Sequence, residues 1–143
     1  MRILIDADGC PVVDITVSIA REMKLECLIL CDTCHTFDKP GARTLVFSKG
    51  ADSVDFALVN LLKPGDVVIT QDYGLAAMCL SRQARVLNQD GMEYSGDNID
   101  ALLLARHTAK KIRSAGGRLK GSSRRKPEQN EFFAAALRRI LNP

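Results

Sequence analysis

A chain of 143 residues, of which 46% are hydrophobic, has the length of one domain and buries enough surface to fold without disulfides or structural metals. The net charge is only +3, and no apolar run approaches the roughly 20 residues that a bilayer requires, so we expect no membrane partner. The five cysteines are an odd number and no secretory leader precedes the first strand, so we expect a cytoplasmic protein with reduced thiols.

In chain order, short apolar segments alternate with amphipathic ones. Strands are predicted at 3–6, 27–31, 44–47, 66–70 and 85–87. Helices are predicted at 12–24, 52–62, 73–82, 97–113 and 128–141. This alternation predicts an α/β fold, a three-layer α/β/α sandwich with a mostly parallel central sheet. We expect one domain over residues 1–143, with a basic loop at 114–127 before the closing helix.

The direction of the third predicted strand stays open. Eleven residues, 32–42, join it to the second strand, which is short for a crossover between parallel neighbours. An antiparallel third strand would carry the residues after it, including Asp52 and Asp55, to the opposite edge of the sheet.

The opening segment IDADG, residues 5–9, places Asp6 and Asp8 two residues apart at the end of an apolar run. An extended backbone points both side chains to the same side, where their repulsion is relieved by a cation, by protonation or by exposure. Further acids follow the later predicted strands: Asp32, Asp52, Asp55 and Asp72. Because the carboxyl ends of parallel strands share the edge where ligands bind, we expect these side chains to meet.

A group of aspartates without a nearby histidine suits a hard cation such as Mg²⁺ or Mn²⁺ better than zinc. The alternative is that Asp52, Asp55 and Asp72 only cap helices. Each stands near a predicted helix N-terminus, where a carboxylate accepts backbone N–H bonds and faces the positive end of the helix dipole. Both interpretations stay open from the sequence.

The positive charge is concentrated late in the chain. Residues 106–126 contain 9 Lys and Arg and no acid, whereas residues 1–105 contain 9 Lys and Arg against 15 Asp and Glu. The basic stretch is either a solvated helix face with a loop or a strip that docks a polyanion by releasing counterions. The candidate nucleic-acid-binding residues are Lys110, Lys111, Arg113, Arg118, Lys120, Arg124, Arg125 and Lys126. Few aromatic residues accompany them, so sequence-specific reading of bases is not predicted.

Three segments together carry a resemblance: 6–12 (DADGCPV), 50–55 (GADSVD) and 66–76 (DVVITQDYGLA). They resemble the successive motifs of the YaiI/YqxD family of uncharacterised bacterial proteins, and the likeness covers nearly the whole chain. One departure is Gly9, where many family members are expected to have Ala. That family resembles in turn the PIN-like nucleases, which gather acidic residues at strand ends to hold Mg²⁺ or Mn²⁺ and hydrolyse RNA or DNA.

The resemblance implies a PIN-like fold and a metal-dependent nuclease, with RNA favoured over DNA as the partner and Mg²⁺ or Mn²⁺ as the cofactor. Carried over by motif, Asp6, Asp52 and Asp72 are the implied catalytic residues and principal metal ligands. Asp8 and Asp55 are the implied supporting ligands.

Residues 31–35, CDTCH, match the pattern of covalent haem attachment. Such attachment belongs to exported proteins, so we expect no haem. Zinc at Cys31, Cys34 and His35 would lack an evident fourth ligand. The simpler interpretation is a buried Cys31, with Cys34 and His35 in a loop near the acidic edge.

Two further alternatives concern the acidic edge itself. IDADG also resembles the nucleophile loop of haloacid-dehalogenase-type phosphatases, in which Asp6 would attack phosphorus and Asp8 would act as general acid. Those enzymes require a Gly-Asp pair at the end of a later strand, whereas Gly65-Asp66 begins a predicted strand. The other alternative is a module that binds metal or nucleic acid without turnover.

Overall fold

The computed structural model describes residues 1–32, 38–48, 53–116 and 124–142. Within them, the strands are β1 Arg2–Asp6, β2 Glu26–Asp32, β3 Arg43–Phe47, β4 Val67–Ile69, β5 Arg85–Leu87 and β6 Glu93–Tyr94. The helices are α1 Val13–Glu22, α2 Ser53–Leu61, α3 Tyr73–Ser81, α4 Gly96–Ser114 and α5 Pro127–Leu141. The six strands form one sheet in the order β3-β2-β1-β4-β5-β6. All neighbours are parallel except β5 and β6, so the predicted mostly parallel α/β fold is confirmed.

The predicted strands and helices are all present, with ends shifted by one or two residues. Strand β6 was not predicted, because two residues are too few to show the alternation of a strand. Pro127 occupies the first turn of α5, where its missing N–H costs nothing. On α5, Phe133, Leu137 and Ile140 are buried, so the apolar stripe of this helix packs into the core.

The two faces of the sheet carry separate hydrophobic clusters, which give the three layers. On one face, Ile3 and Ile5 of β1 pack with residues of α1 and α5. On the other face, Leu4 packs with residues of α2, α3 and α4. Strands buried on both faces need a continuous apolar run, which explains why β1, β2 and β4 lack a hydrophobic alternation.

Strand β3 runs parallel to β2, which answers the question that the sequence left open. Arg43, the first residue of β3, pairs with Leu28 of β2. The connection therefore has to return only from Asp32, at the end of β2, to the level of Leu28. That step is about 13 Å at 3.3 Å per residue, and the connecting residues 33–42 reach roughly 33 Å when extended. A short connection therefore suffices, and α2 begins on the same edge of the sheet as the end of β1.

At the opposite, amino-terminal edge of the sheet, Arg2 forms an ion pair with Asp66. Arg2 Nη2 donates to Asp66 Oδ2 over 2.7 Å and to the Leu61 carbonyl over 2.6 Å. The same carboxylate accepts the Lys63 N–H at 2.9 Å, and its side chain is only 4% exposed. This network joins the starts of β1 and β4 to the end of α2. None of the helices that the structure describes is long and apolar enough to cross a membrane.

Candidate active site

The candidate site lies where β1 and β4 end side by side in the middle of the sheet. Strands β2 and β3 lie on one side of β1, whereas β4, β5 and β6 lie on its other side. The direction in which successive strands are added to the sheet therefore reverses between β1 and β4. In parallel α/β sheets such a reversal opens a crevice at the carboxyl ends of the strands. Asp6 is the last residue of β1, and Thr70 follows the last residue of β4.

Thr70 links two of the predicted site residues. Its hydroxyl donates to Asp6 Oδ2 over 2.8 Å and accepts the backbone N–H of Asp72 over 3.0 Å. The Tyr94 hydroxyl donates to the Thr70 carbonyl over 3.3 Å, and Thr70 is only 1% exposed. Sequence reasoning assigned no role to Thr70. The available signal was a hydroxyl that ends the apolar run of β4, but its position opposite Asp6 depends on the pairing of β1 with β4.

The electrostatic environment raises the pKa of Asp6 to about 6. Burial is the largest cause, and the charges of Asp55, Asp72 and Asp8 add to it, whereas the hydrogen bond from Thr70 opposes it. These carboxylates are therefore close enough to repel one another. A cation placed among them would be attracted by the whole group.

Asp72 caps α3, as the alternative interpretation of the sequence predicted. Its Oδ1 accepts the backbone N–H groups of Gly74 at 2.9 Å and Leu75 at 3.2 Å. The Arg106 guanidinium lies 3.6 Å from the same oxygen. All of these contacts involve Oδ1. Asp72 can therefore cap α3 and still contribute its Oδ2 to the candidate site.

The loop after β1 is held in one conformation. Asp8 Oδ2 accepts the backbone N–H of Asp32 at 3.0 Å, which ties the loop to the end of β2. Gln71 Nε2 donates to the Gly9 carbonyl over 2.8 Å. Gly9 has a φ of +74°, a left-handed conformation that strains any residue with a Cβ. An Ala in place of Gly9 would therefore be strained in this backbone conformation.

Four of the predicted site residues, Asp6, Asp8, Asp55 and Asp72, line two adjoining cavities. The first has a volume of about 540 Å³ and is lined by Asp6, Asp8, Gln71, Asp72, Tyr73 and Arg106. The second has a volume of about 510 Å³ and is lined by Asp55, Phe56, Asp72, Met78 and Arg106. Since Asp72 and Arg106 belong to both, we call the two cavities together the acidic cleft. The predicted ligand Asp52 lies outside the described residues.

The donor chemistry of the acidic cleft suits a hard divalent cation. Carboxylate oxygens are the ligands that Mg²⁺ prefers, and one or two of them usually suffice when waters and a phosphate complete the coordination. Among the residues that the structure describes, no three His, Cys, Asp or Glu side chains lie close enough to hold one ion. The described residues therefore do not form a closed cage around an ion, and a cation here would need ligands from water or substrate as well.

The basic residues fall into three groups. Lys110, Lys111 and Arg113 lie exposed on the second half of α4. Arg124 and Lys126 are exposed before α5, whereas Arg118 and Lys120 lie outside the described residues. Arg125 is not part of a projecting arm, since its side chain is only 23% exposed and is hydrogen-bonded to the body of the protein.

Arg106 is a site residue that sequence reasoning did not select. It is the first residue of the basic stretch, and Lys110 and Arg113 follow at the spacing that places them on the same face of α4. This periodicity was the available signal, but only the packing of α4 beside α3 brings Arg106 to Asp72. One face of α4 therefore leads from the acidic cleft outward as a line of positive charge.

The structure also bears on the other chemistries. Asp66 precedes β4 and pairs with Arg2 at the edge opposite the acidic cleft, so it does not supply the later acid of a phosphatase.

Burial raises the pKa of the Cys10 thiol to about 11, which keeps the thiol protonated near the cleft. Cys31 is fully buried in β2, as expected. The predicted loop positions of Cys34 and His35 lie outside the described part of the chain.

Fold and site together define an α/β protein with an acidic cleft at the switch point of a mostly parallel sheet. The model of a family described as "Uncharacterized BCR, YaiI/YqxD family" matches residues 4–143, and the chain belongs to this family. A UPF0178 protein of Exiguobacterium sibiricum is 47% identical over 141 residues, which cover 99% of this chain and 96% of the relative. A UPF0178 protein of Clostridium acetobutylicum is 48% identical over 143 residues, with 99% and 97% covered.

Proposed function

We propose that the protein is a cytoplasmic, divalent-metal-dependent nuclease that hydrolyses phosphodiester bonds, with RNA as the favoured substrate. The observation that carries the proposal is the hydrogen-bonded link from the Asp6 carboxylate through Thr70 to the Asp72 backbone, in a cleft where burial and the repulsion of neighbouring carboxylates raise the pKa of Asp6. A cation would relieve this repulsion and attract a phosphate at the same time. The resemblance of the YaiI/YqxD motifs to PIN-like nucleases agrees with this chemistry.

In this mechanism Asp6 and Asp72 would hold Mg²⁺ or Mn²⁺, supported by Asp8, Asp55 and Asp52. The bound cation would polarise the phosphoryl oxygen and lower the pKa of a bound water from about 15.7 towards 7. Thr70 orients the Asp6 carboxylate and stabilises its charged form by donating a hydrogen bond.

Arg106 receives the substrate phosphate in this proposal. Its guanidinium is 3.6 Å from Asp72 Oδ1 and largely exposed, so it can exchange this weak contact for a bidentate contact with a phosphate. The repulsion between the acidic cleft and an RNA backbone is thereby offset on the side that faces α4.

The test is a cleavage assay with end-labelled RNA in the presence of Mg²⁺, Mn²⁺ or EDTA, together with calorimetry of Mn²⁺ binding. We expect cleavage with either metal, none in EDTA, and heat from Mn²⁺ uptake. Cleavage that is unaffected by EDTA, or the lack of both cleavage and metal binding, would contradict the proposal.

One observation favours the second candidate, a module that binds without turnover: the described side chains do not form a three-ligand metal group. Such a module needs only to retain RNA or a metal ion. Retention of intact RNA under both metals in the same assay would support this candidate against the nuclease.

In this proposal the basic residues on the second half of α4 make RNA binding depend on salt. Replacing Lys110 and Lys111 together by Ala should weaken binding and lower the slope of log K against log salt concentration by about 0.7 for each lost phosphate contact. The measurement is a fluorescence titration with single-stranded RNA at several salt concentrations.

The control for this double variant is the exchange of Lys63 and Arg82 by Ala. Both side chains are exposed, and they precede β4 and β5 at the edge of the sheet opposite the acidic cleft. This control removes the same charge, so it should leave the slope unchanged. Equal slopes for the wild type and the Lys110 and Lys111 double variant would show that α4 does not contact the RNA backbone.

A further inference from the structure

A third cavity adjoins the acidic cleft and has no role in the proposed hydrolysis. Its volume is about 430 Å³, within the usual range of small-molecule sites. It shares Gly9 and Gln71 with the first cavity of the acidic cleft. The remaining lining residues are Pro11, Gln89, Asp90, Arg125 and Gln129, and we call this cavity the amide pocket.

Hydrogen bonds fix the polar wall of the amide pocket. Arg125 donates through Nε to Asn130 Oδ1 at 2.8 Å, through Nη1 to Asp90 Oδ1 at 2.8 Å and through Nη2 to the Gln89 carbonyl at 2.7 Å. Gln129 Nε2 donates to the same Asp90 oxygen at 3.0 Å. The guanidinium plane is therefore held in place before any ligand arrives.

Hydrogen bonds and packing also hold the loop that carries Asp90. Asn88 Oδ1 accepts the backbone N–H groups of Asp90 at 2.9 Å and Met92 at 2.8 Å. Gly91 has a φ of +90°, and a Cβ at this position would lie 2.8 Å from the Phe132 carbonyl oxygen of α5. The loop thus sits directly on α5, which reduces the conformational entropy that ligand binding would cost.

The chemistry of the amide pocket matches a planar heterocycle with a polar edge. Three amide side chains provide both donors and acceptors, and the guanidinium uses three of its five N–H groups, which leaves donors and a flat face. Gln89 Oε1 is buried and has no hydrogen-bond partner in the described part of the chain. Pro11 adds an exposed apolar ring. Unpaired bases stack on arginine planes and pair through their edges in this way.

We infer that the amide pocket binds the base of a nucleotide next to the phosphate held at the acidic cleft, so that the substrate is an RNA strand with this base turned out. The inference rests on the proposed function, since it assigns a substrate group to the same site. A base that stays stacked in a duplex does not enter such a pocket. Stacking on a guanidinium tolerates any base, so the pocket needs no aromatic residue.

The experiment compares two fluorescein-labelled RNA pentamers with the same number of phosphates, one with all bases and one fully abasic. Binding is measured by anisotropy in Ca²⁺, so that a hard divalent cation is present for the acidic cleft, and gel electrophoresis checks that both pentamers stay intact. We expect the wild type to bind the pentamer with bases about tenfold more tightly, which corresponds to about 1.4 kcal/mol. Arg125→Ala should reduce this ratio to nearly one.

The matched control is Arg138→Ala, which removes one exposed positive charge from α5, the helix that follows Arg125, away from the amide pocket. It should keep the tenfold ratio. Because Arg125→Ala removes three hydrogen bonds and can loosen α5, a second variant is Gln89→Leu, which replaces a buried unsatisfied acceptor by an apolar group and should also reduce the ratio.

Equal affinities of the wild type for both pentamers would overturn the assignment of the amide pocket and leave the nuclease proposal standing. An unchanged ratio in both Arg125→Ala and Gln89→Leu would overturn it as well. Failure of the wild type to bind either pentamer would overturn RNA as the substrate, and with it both proposals.

Discussion

Replacing Asp6 by Asn should reduce metal-dependent RNA cleavage by roughly a thousandfold, which corresponds to about 4 kcal/mol of lost transition-state stabilisation. The amide keeps the shape of the carboxylate and can still accept the hydrogen bond from the Thr70 hydroxyl. It has no negative charge to bind a divalent cation or to orient a metal-bound water. The initial rate of cleavage in Mg²⁺ measures the effect.

The same variant should be more stable than the wild type in EDTA. The pKa of Asp6 is raised to about 6 in the folded protein, above its ordinary value of 3.8. A raised acid pKa means that ionisation destabilises the fold, by on the order of 3 kcal/mol once the pH exceeds about 6. The amide of the Asp6→Asn variant does not ionise and carries no such penalty, so the gain should be full at pH 8 and vanish below about pH 4. Thermal unfolding across this range measures it.

Asp72→Asn is the companion variant, because Asn caps a helix as well as Asp does. It should lose cleavage while α3 stays capped. The matched control is Asp97→Asn, an exposed acid in the first turn of α4 that removes the same charge. Full activity in either Asp6→Asn or Asp72→Asn would refute the nuclease mechanism, as would equal losses in the Asp97→Asn control.

Replacing Asp66 by Asn should destabilise the fold by about 3 kcal/mol, because removing one partner of a buried ion pair leaves the other charge uncompensated. Asp66 accepts hydrogen bonds from the backbone N–H and guanidinium of Arg2 and from the Lys63 N–H. An amide provides one acceptor where the carboxylate provides two. The unfolding temperature should fall by about 10 °C, and the acidic cleft at the other edge should keep its activity.

Ionisation of Asp66 stabilises the fold, whereas ionisation of Asp6 destabilises it, so the two residues change the stability with pH in opposite directions. Burial raises the pKa of Asp66, but the hydrogen bonds from Arg2 and Lys63 and the Arg2 charge outweigh it and hold the pKa below 3.8. The carboxylate therefore stabilises the fold fully above about pH 4, and this contribution is lost as the pH falls through the folded pKa. Wild type and Asp66→Asn should converge in stability at low pH.

A matched comparison uses an exposed ion pair. Arg85 and Glu93 join β5 to β6 across 2.8 Å, and their side chains are 46% and 39% exposed. Glu93→Gln should cost less than about 1 kcal/mol and respond to salt. If Asp66→Asn costs no more than Glu93→Gln, the buried network at the amino-terminal edge does not stabilise the sheet as we expect.

Several features of the site could be predicted because they are local. The apolar run before Asp6 indicates a strand, and the step from an apolar run to Asp72 and a helical pattern indicates a strand end and a cap. Parallel strands then place both acids at one edge by geometry alone. The roles of Thr70 and Arg106 could not be predicted in this way. Each depends on a partner far along the chain, Asp6 for Thr70 and Asp72 for Arg106.

The amino-acid sequence by itself determined the alternation of strands and helices, the burial of both faces of the central strands and the family of the protein. These properties follow from the periodicity of apolar side chains and from motifs, which are written into neighbouring residues. Only the tertiary structure decided the direction of β3, the fixed position of Arg125 and the join between the acidic cleft and the amide pocket. Such features arise from strand register and side-chain packing between distant segments, which no local pattern specifies.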